Sequence, residues 1–104
     1  ISNDGNGHIL VVPKNHCTNV LDAEDKDLEY VIKTIKKISN HLVEKCGFDG
    51  VNIINASGKS AEQSVFHLHF HLLPRKNGDH MHIFPTLEKN SHSLEQLREM
   101  LKVD

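Results

Sequence analysis

The sequence predicts an α+β domain built on a mainly antiparallel sheet, and three observations carry that expectation. Short apolar runs rich in β-branched residues flank one long stretch of helical periodicity. The elements read strand, helix, strand, strand, helix, without the regular alternation that builds a parallel sheet. At 104 residues, with 38% hydrophobic and 25% charged side chains, the chain has the size and balance of one folded domain.

The opening "ISNDGNG" (1–7) holds turn-formers with nothing to bury and is expected as a loop. "HILVVP" (8–13) reads as a short buried strand, ended by Pro13 because proline cannot donate to a strand ladder. After a connector, the spacing of Leu28, Val31, Ile32, Ile35, Ile38 and Leu42 predicts a helix over residues 23–46. Asp22 is the expected N-cap, Glu24 and Asp25 suit the positive end of the dipole, and Gly47 is the stop. "GVNIIN" (50–55) is a second strand and "ASGKSAEQ" (56–63) a loop. "SVFHLHFHLL" (64–73) is a third strand closed by Pro74, and "RKNGD" (75–79) a turn. Ser93 and Gln96 supply a capping box for a short C-terminal helix carrying Leu94, Leu97 and Leu101.

Composition excludes several functions. Twelve basic against fourteen acidic side chains leave a formal net charge of −2, which offers no general attraction for nucleic acid or anionic membranes. No apolar run approaches the ~20 residues that cross a bilayer, and no secretory signal is seen. Cys17 and Cys46 lie far apart and are expected as reduced thiols in a cytoplasmic protein, with a single disulfide as the alternative.

Histidine is the outlier, with nine residues, three of them at every second position of "SVFHLHFHLL". On a strand, His67, His69 and His71 would share one face and Phe66, Leu68, Phe70 and Leu72 the other. Three readings compete for that face. Chance placement on a solvated surface is disfavoured, because lysine, threonine and glutamate are the usual choices there. A metal site would use two of the three, helped by His16, His80 or His82. All three cannot ligate one ion, since residues four apart in a strand lie ~13 Å apart and a Zn–N bond is ~2.1 Å. The third reading is a nucleophilic imidazole between two helpers. Neutral imidazole, with an ordinary pKa of ~6.5, attacks phosphorus to give a labile phosphoramidate, and a neighbour protonates the leaving group.

"GHILVVPKNH" (7–16) and "QSVFHLHFHLLPR" (63–75) together resemble the histidine triad (HIT) family of nucleotide hydrolases and transferases. The first is similar to that family's G-H-x-L-V-x-P-K-x-H segment, and the second to its H-φ-H-φ-H-φ-φ signature, φ being apolar. The resemblance implies a nucleotide hydrolase that cleaves a phosphoanhydride or phosphoramidate bond at the α-phosphate of a purine nucleotide. It makes His69 the nucleophile and His71 the group that contacts the phosphate and helps protonate the leaving group. His67 would orient its neighbours, supported by His16, while Gln63 and Ser64 would hold phosphate oxygens. It further implies a homodimer and chemistry that requires no cofactor, although a divalent cation bound to a polyphosphate substrate could assist. His8, His41, His80, His82 and His92 receive no role and are expected at the surface.

Three departures from the family pattern stand out. Glu62 occupies the usual place of a glycine, putting a negative charge near the expected phosphate. Ala56 stands where Asn or Gln is usual, so Asn55 is expected to take that place through a shifted loop. The acid that grips the ribose, the base-binding elements and the optional zinc cysteines would fall upstream of Ile1, so residues 1–104 are expected as one N-terminally incomplete HIT domain. "PRKNGD" resembles the branch that splits dinucleoside polyphosphates, and the phosphoramidase branch shares most other features. A nucleotide-binding protein without turnover and a histidine-based metal-binding module are the alternatives.

Overall fold

A computed structural model describes residues 7–103. The expected loop over residues 1–6 lies outside the described residues. Strand β1 spans Ile9–Val11, helix α1 Asp25–Glu44, β2 Gly50–Ile54, β3 Phe70–Arg75 and helix α2 Leu94–Leu101, with one 3₁₀ turn at Lys59–Ala61. The three strands form an antiparallel sheet in the order β1-β3-β2. In register, Ile9 faces Leu72, Leu10 faces His71 and Val11 faces Phe70, while Ile53 faces Leu72 and Ile54 faces His71.

Helix α1 covers one face of this sheet, and its apolar stripe explains why. Val31 and Ile35 pack with Val11 and Leu72, and Ile9, Ile38, Val51 and Phe70 close around them. Ile35, Leu68 and Leu72 are fully buried. Ile32, counted in the stripe by its spacing, is 54% exposed: it stands at the margin of the face that the short sheet can cover. The helix also starts later than expected. Asp22 is not its N-cap: its carboxylate accepts the Thr18 and Asn19 N–H groups of the preceding turn. Glu24 occupies the cap position, and its carbonyl accepts from Asp27 and Leu28. At the other end Gly47, at φ +80°, lets the Phe48 N–H reach back to the Leu42 carbonyl. The capping box on α2 forms as the sequence predicts, with Ser93 Oγ accepting from the Gln96 N–H and Gln96 Oε1 from the Ser93 N–H.

The largest correction concerns the histidine strand. It begins at Phe70, so His67 and His69 precede it and only His71 lies within it. The partners set this limit: β1 reaches β3 only to Phe70 before Pro13 intervenes, and β2 only to His71. Phe66, expected among the buried residues of this strand, is 54% exposed. Nor does Pro74 end the strand. It pairs with Val51 on β2, past the described pairs that β1 makes with β3, so its missing N–H breaks none of those pairs.

The turn after β3 is held by its own charges. Arg75 Nε and Nη2 donate to the two carboxylate oxygens of Asp79 at 2.8 and 2.6 Å, and Nη1 donates to Asn52 Oδ1. The guanidinium, aided by the Met81 and Lys76 N–H groups, holds the Asp79 carboxyl well below the usual carboxylate range. Its stabilisation is therefore fully present above the unfolded value of about 3.9 and is lost progressively as pH falls from there through the lower folded value. The urea midpoint of Asp79→Asn should be lower than that of the native chain at pH 6, with the gap beginning to narrow only below about pH 4; equal midpoints at pH 6 would mean that the pair contributes nothing. No described helix is long and apolar enough to cross a membrane.

Candidate active site

The segment that carries the first two triad histidines is fixed by side-chain and loop contacts instead of a strand ladder. The Leu68 N–H donates to the Cys17 carbonyl at 2.8 Å, anchoring the segment to the connector after β1. Gln63, 5% exposed, holds the other end. Its Nε2 donates to the carbonyls of Thr18 and Val65, and its Oε1 accepts from Asn19 Nδ2 and the Gly58 N–H. Both donors and the acceptor of this amide are thus satisfied within the protein. Asn55, beyond the end of β2, donates to the His69 carbonyl at 2.9 Å, and its Oδ1 accepts from Ser57 Oγ. Ser64 follows Gln63 directly and is exposed.

These contacts bring His16, His67, His69 and His71 together, although they come from a loop, the segment before β3 and β3 itself. His16 Nδ1 lies 2.9 Å from His67 Nδ1. His69 Nδ1 lies 2.8 Å from the His67 carbonyl oxygen, and the rings of His69 and His71 meet edge to face at 5.0 Å. A carbonyl oxygen can only accept, so His69 Nδ1 carries the proton. In the neutral ring Nε2 is then left with its lone pair.

His8 completes the group, against the expectation of a surface position. It is half-buried, and its Nε2 lies 2.9 Å from His71 Nδ1 with the two rings stacked at 5.1 Å. The cause is the sheet register. Leu10 faces His71, so His8, two residues earlier on the same face of the chain, is its diagonal neighbour. Burial, and then the His69 and His8 rings, push His71 below the ordinary histidine value and favour its neutral form. The cysteines are free thiols, Cys17 buried and Cys46 exposed.

The Glu62 departure has a backbone consequence. Glu62 adopts φ +69° at the end of the 3₁₀ turn, the left-handed region that glycine enters without a Cβ clash. Glu62→Gly should raise stability by about 1 kcal/mol in urea denaturation. A lower midpoint would instead show that the glutamate side chain supports the turn.

Comparison with known proteins finds relatives of this chain. A sequence profile described as the HIT domain matches residues 2–78. An uncharacterised HIT-like protein of Borreliella burgdorferi is 47% identical over 75 residues, which span 70% of this chain and 54% of that protein. An adenosine 5′-monophosphoramidase of Schizosaccharomyces pombe is 30% identical over 74 residues, 71% of this chain and 53% of that protein. Among solved structures, a Streptococcus mutans protein superposes with a TM-score of 0.76 at 36% identity, over 90% of this chain and 60% of that one. The chain therefore spans about half the length of the curated relatives it matches. With the profile covering most of its length and the histidines gathered as described, this chain belongs to the histidine triad family.

Proposed function

We propose that this domain hydrolyses a phosphoramidate or phosphoanhydride bond at the α-phosphate of a purine nucleotide, through a nucleotide covalently held on His69. One observation carries the reading: the His69 Nδ1–H is committed to the His67 carbonyl, which leaves Nε2 as a lone-pair nucleophile. Nε2 attacks the α-phosphorus, a P–N bond forms and the bond to the leaving group breaks. The leaving amine or phosphate takes a proton from the imidazolium form of His71, which burial and the neighbouring rings make readier to give it up. Water then attacks the same phosphorus and gives its proton back to His71, the P–N bond to His69 breaks, and the nucleotide leaves with both imidazoles restored.

The other residues act around this step. His67 positions His69 through its main-chain carbonyl, and its ring is steadied by His16. Asn55 holds the His69 backbone, and Gln63 holds the loop that presents Ser64 to the phosphate. No metal is needed, since imidazoles supply both nucleophile and proton. Arg75 and Asp79 of the "PRKNGD" turn satisfy each other, so the turn's likeness to the dinucleoside polyphosphate branch needs no substrate to explain it. The activity named for the Schizosaccharomyces relative favours a nucleoside phosphoramidate.

The working unit in this reading is a homodimer. Among the described residues strand β2 has a neighbour on one side only, and apolar Ile53 on it is 49% exposed, as is much of Ile32 and Val43 on α1. An open edge beside exposed aliphatics favours pairing with a second copy. The test of function is AMP release from adenosine phosphoramidate and from a dinucleoside polyphosphate, each with and without a chelator. Chelator-insensitive release, faster from the phosphoramidate, is expected. Tight nucleotide binding without release would instead mark a binding protein, and release that stops on chelation would point to a metal.

A further inference from the structure

Asn55 can hold the His69 carbonyl only while its amide faces the right way. Turned over about its last bond, the side chain would set Oδ1 against the carbonyl oxygen, and two acceptors repel. Which way the amide faces therefore bears on where the His69 backbone sits, and a second residue touches that amide. Ser57 Oγ lies 2.6 Å from Asn55 Oδ1.

We propose that Ser57 is a positioning residue whose hydroxyl locks the Asn55 amide with Nδ2 towards the His69 carbonyl and so keeps the imidazole aligned for attack. The inference rests on the reading of His69 as the nucleophile. Three contacts in series carry it. The Val20 N–H donates to Ser57 Oγ at 3.1 Å, Ser57 Oγ donates to Asn55 Oδ1, and Asn55 Nδ2 donates to the His69 carbonyl at 2.9 Å. A hydroxyl has one proton, and the Val20 N–H is itself a donor, so that proton goes to Asn55 Oδ1. Every link of the relay then points one way, from the connector after β1 to the backbone of His69. The relay matters because His69 precedes β3 and lies outside the sheet ladder. Ser57 is itself well seated, since the N–H of the next residue, Gly58, donates to the buried Gln63 Oε1 at 2.9 Å.

The test is a double-mutant cycle on AMP release from adenosine phosphoramidate. It uses Ser57→Ala, Asn55→Ala, both substitutions together, and Ser57→Thr. Displacing a reacting group by about 1 Å can cost about 10²-fold, and an amide that turns over part of the time should cost about tenfold in kcat. KM should change by no more than about threefold in Ser57→Ala, because the nucleophile is displaced and not a substrate contact. Since Ser57 acts through Asn55, adding Ser57→Ala to Asn55→Ala should lower kcat by no more than about a further twofold. Ser57→Thr keeps a hydroxyl and should recover most of kcat. By NMR, the Asn55 side-chain amide protons should exchange with solvent about tenfold faster in Ser57→Ala than in the native chain.

Two results would overturn the inference. One is a native kcat in Ser57→Ala. The other is a loss in the double variant equal to the product of the two single losses, which would mean that Ser57 acts apart from Asn55. If the native chain releases no AMP, the functional reading fails, and the amide exchange alone then decides whether Ser57 locks Asn55.

Discussion

Replacing Gln63 with leucine is expected to cost about 4 kcal/mol of stability, although the two side chains are close in volume. The buried amide makes four hydrogen bonds to three segments, none of which belongs to a strand or a helix. Leucine would leave Asn19 Nδ2, the Gly58 N–H and the carbonyls of Thr18 and Val65 without those partners. A typical hydrogen bond nets about 1 kcal/mol, but an orphaned buried group costs about 1–3 kcal/mol, and these losses fall on one site. Because domains have about 5–15 kcal/mol in total, a large share of the native margin would go. Urea denaturation of the variant measures this directly. A loss below about 1 kcal/mol would mean that water replaces the amide and that the loop is held by other contacts.

Removing the His69 imidazole is expected to lower nucleotide release by about 10⁴-fold or more, because the step then lacks its nucleophile. The comparison with His67→Ala sharpens this. The His67 group that touches His69 is its main-chain carbonyl, which alanine retains. That variant loses only the ring facing His16, so its rate should fall about tenfold, well short of the His69→Ala loss. Both should keep the native fold, since His67 and His69 are half-buried and neither belongs to the core around Ile35 and Leu72. Equal losses in the two variants would place the His67 ring itself in the reaction.

The two triad motifs made the family and most of the fold legible in the residues. Alternation in "FHLL" put Phe70 and Leu72 towards the helix and His71 on the other face, as the register shows. The same alternation misled over residues 64–69. A period of two marks a strand only where a neighbour exists to pair with it, and β1 is three residues long. Which backbone groups Leu68 and Gln63 would meet depends on how the connector at residues 17–19 folds back, and local sequence does not encode that. Asp22 has the chemistry of a helix cap, but the nearer donors of its own turn took its carboxylate first. His8 was missed because its partner lies 63 residues away. Its signal was present nonetheless: an antiparallel pairing of "GHILV" with the histidine strand makes the two histidines diagonal neighbours.

The central claim is that His69 Nε2 forms a bond to the α-phosphorus, and the most direct measurement is to catch that bond. Adenosine phosphoramidate would be mixed with this chain, quenched at alkaline pH within milliseconds, and the digest weighed by mass spectrometry. The account predicts an adenylate-sized mass increase on the peptide that carries His69, stable to alkali, lost in acid and absent in His69→Ala. Nucleotide release at the same rate with no such adduct, or an adduct that persists in His69→Ala, would contradict it.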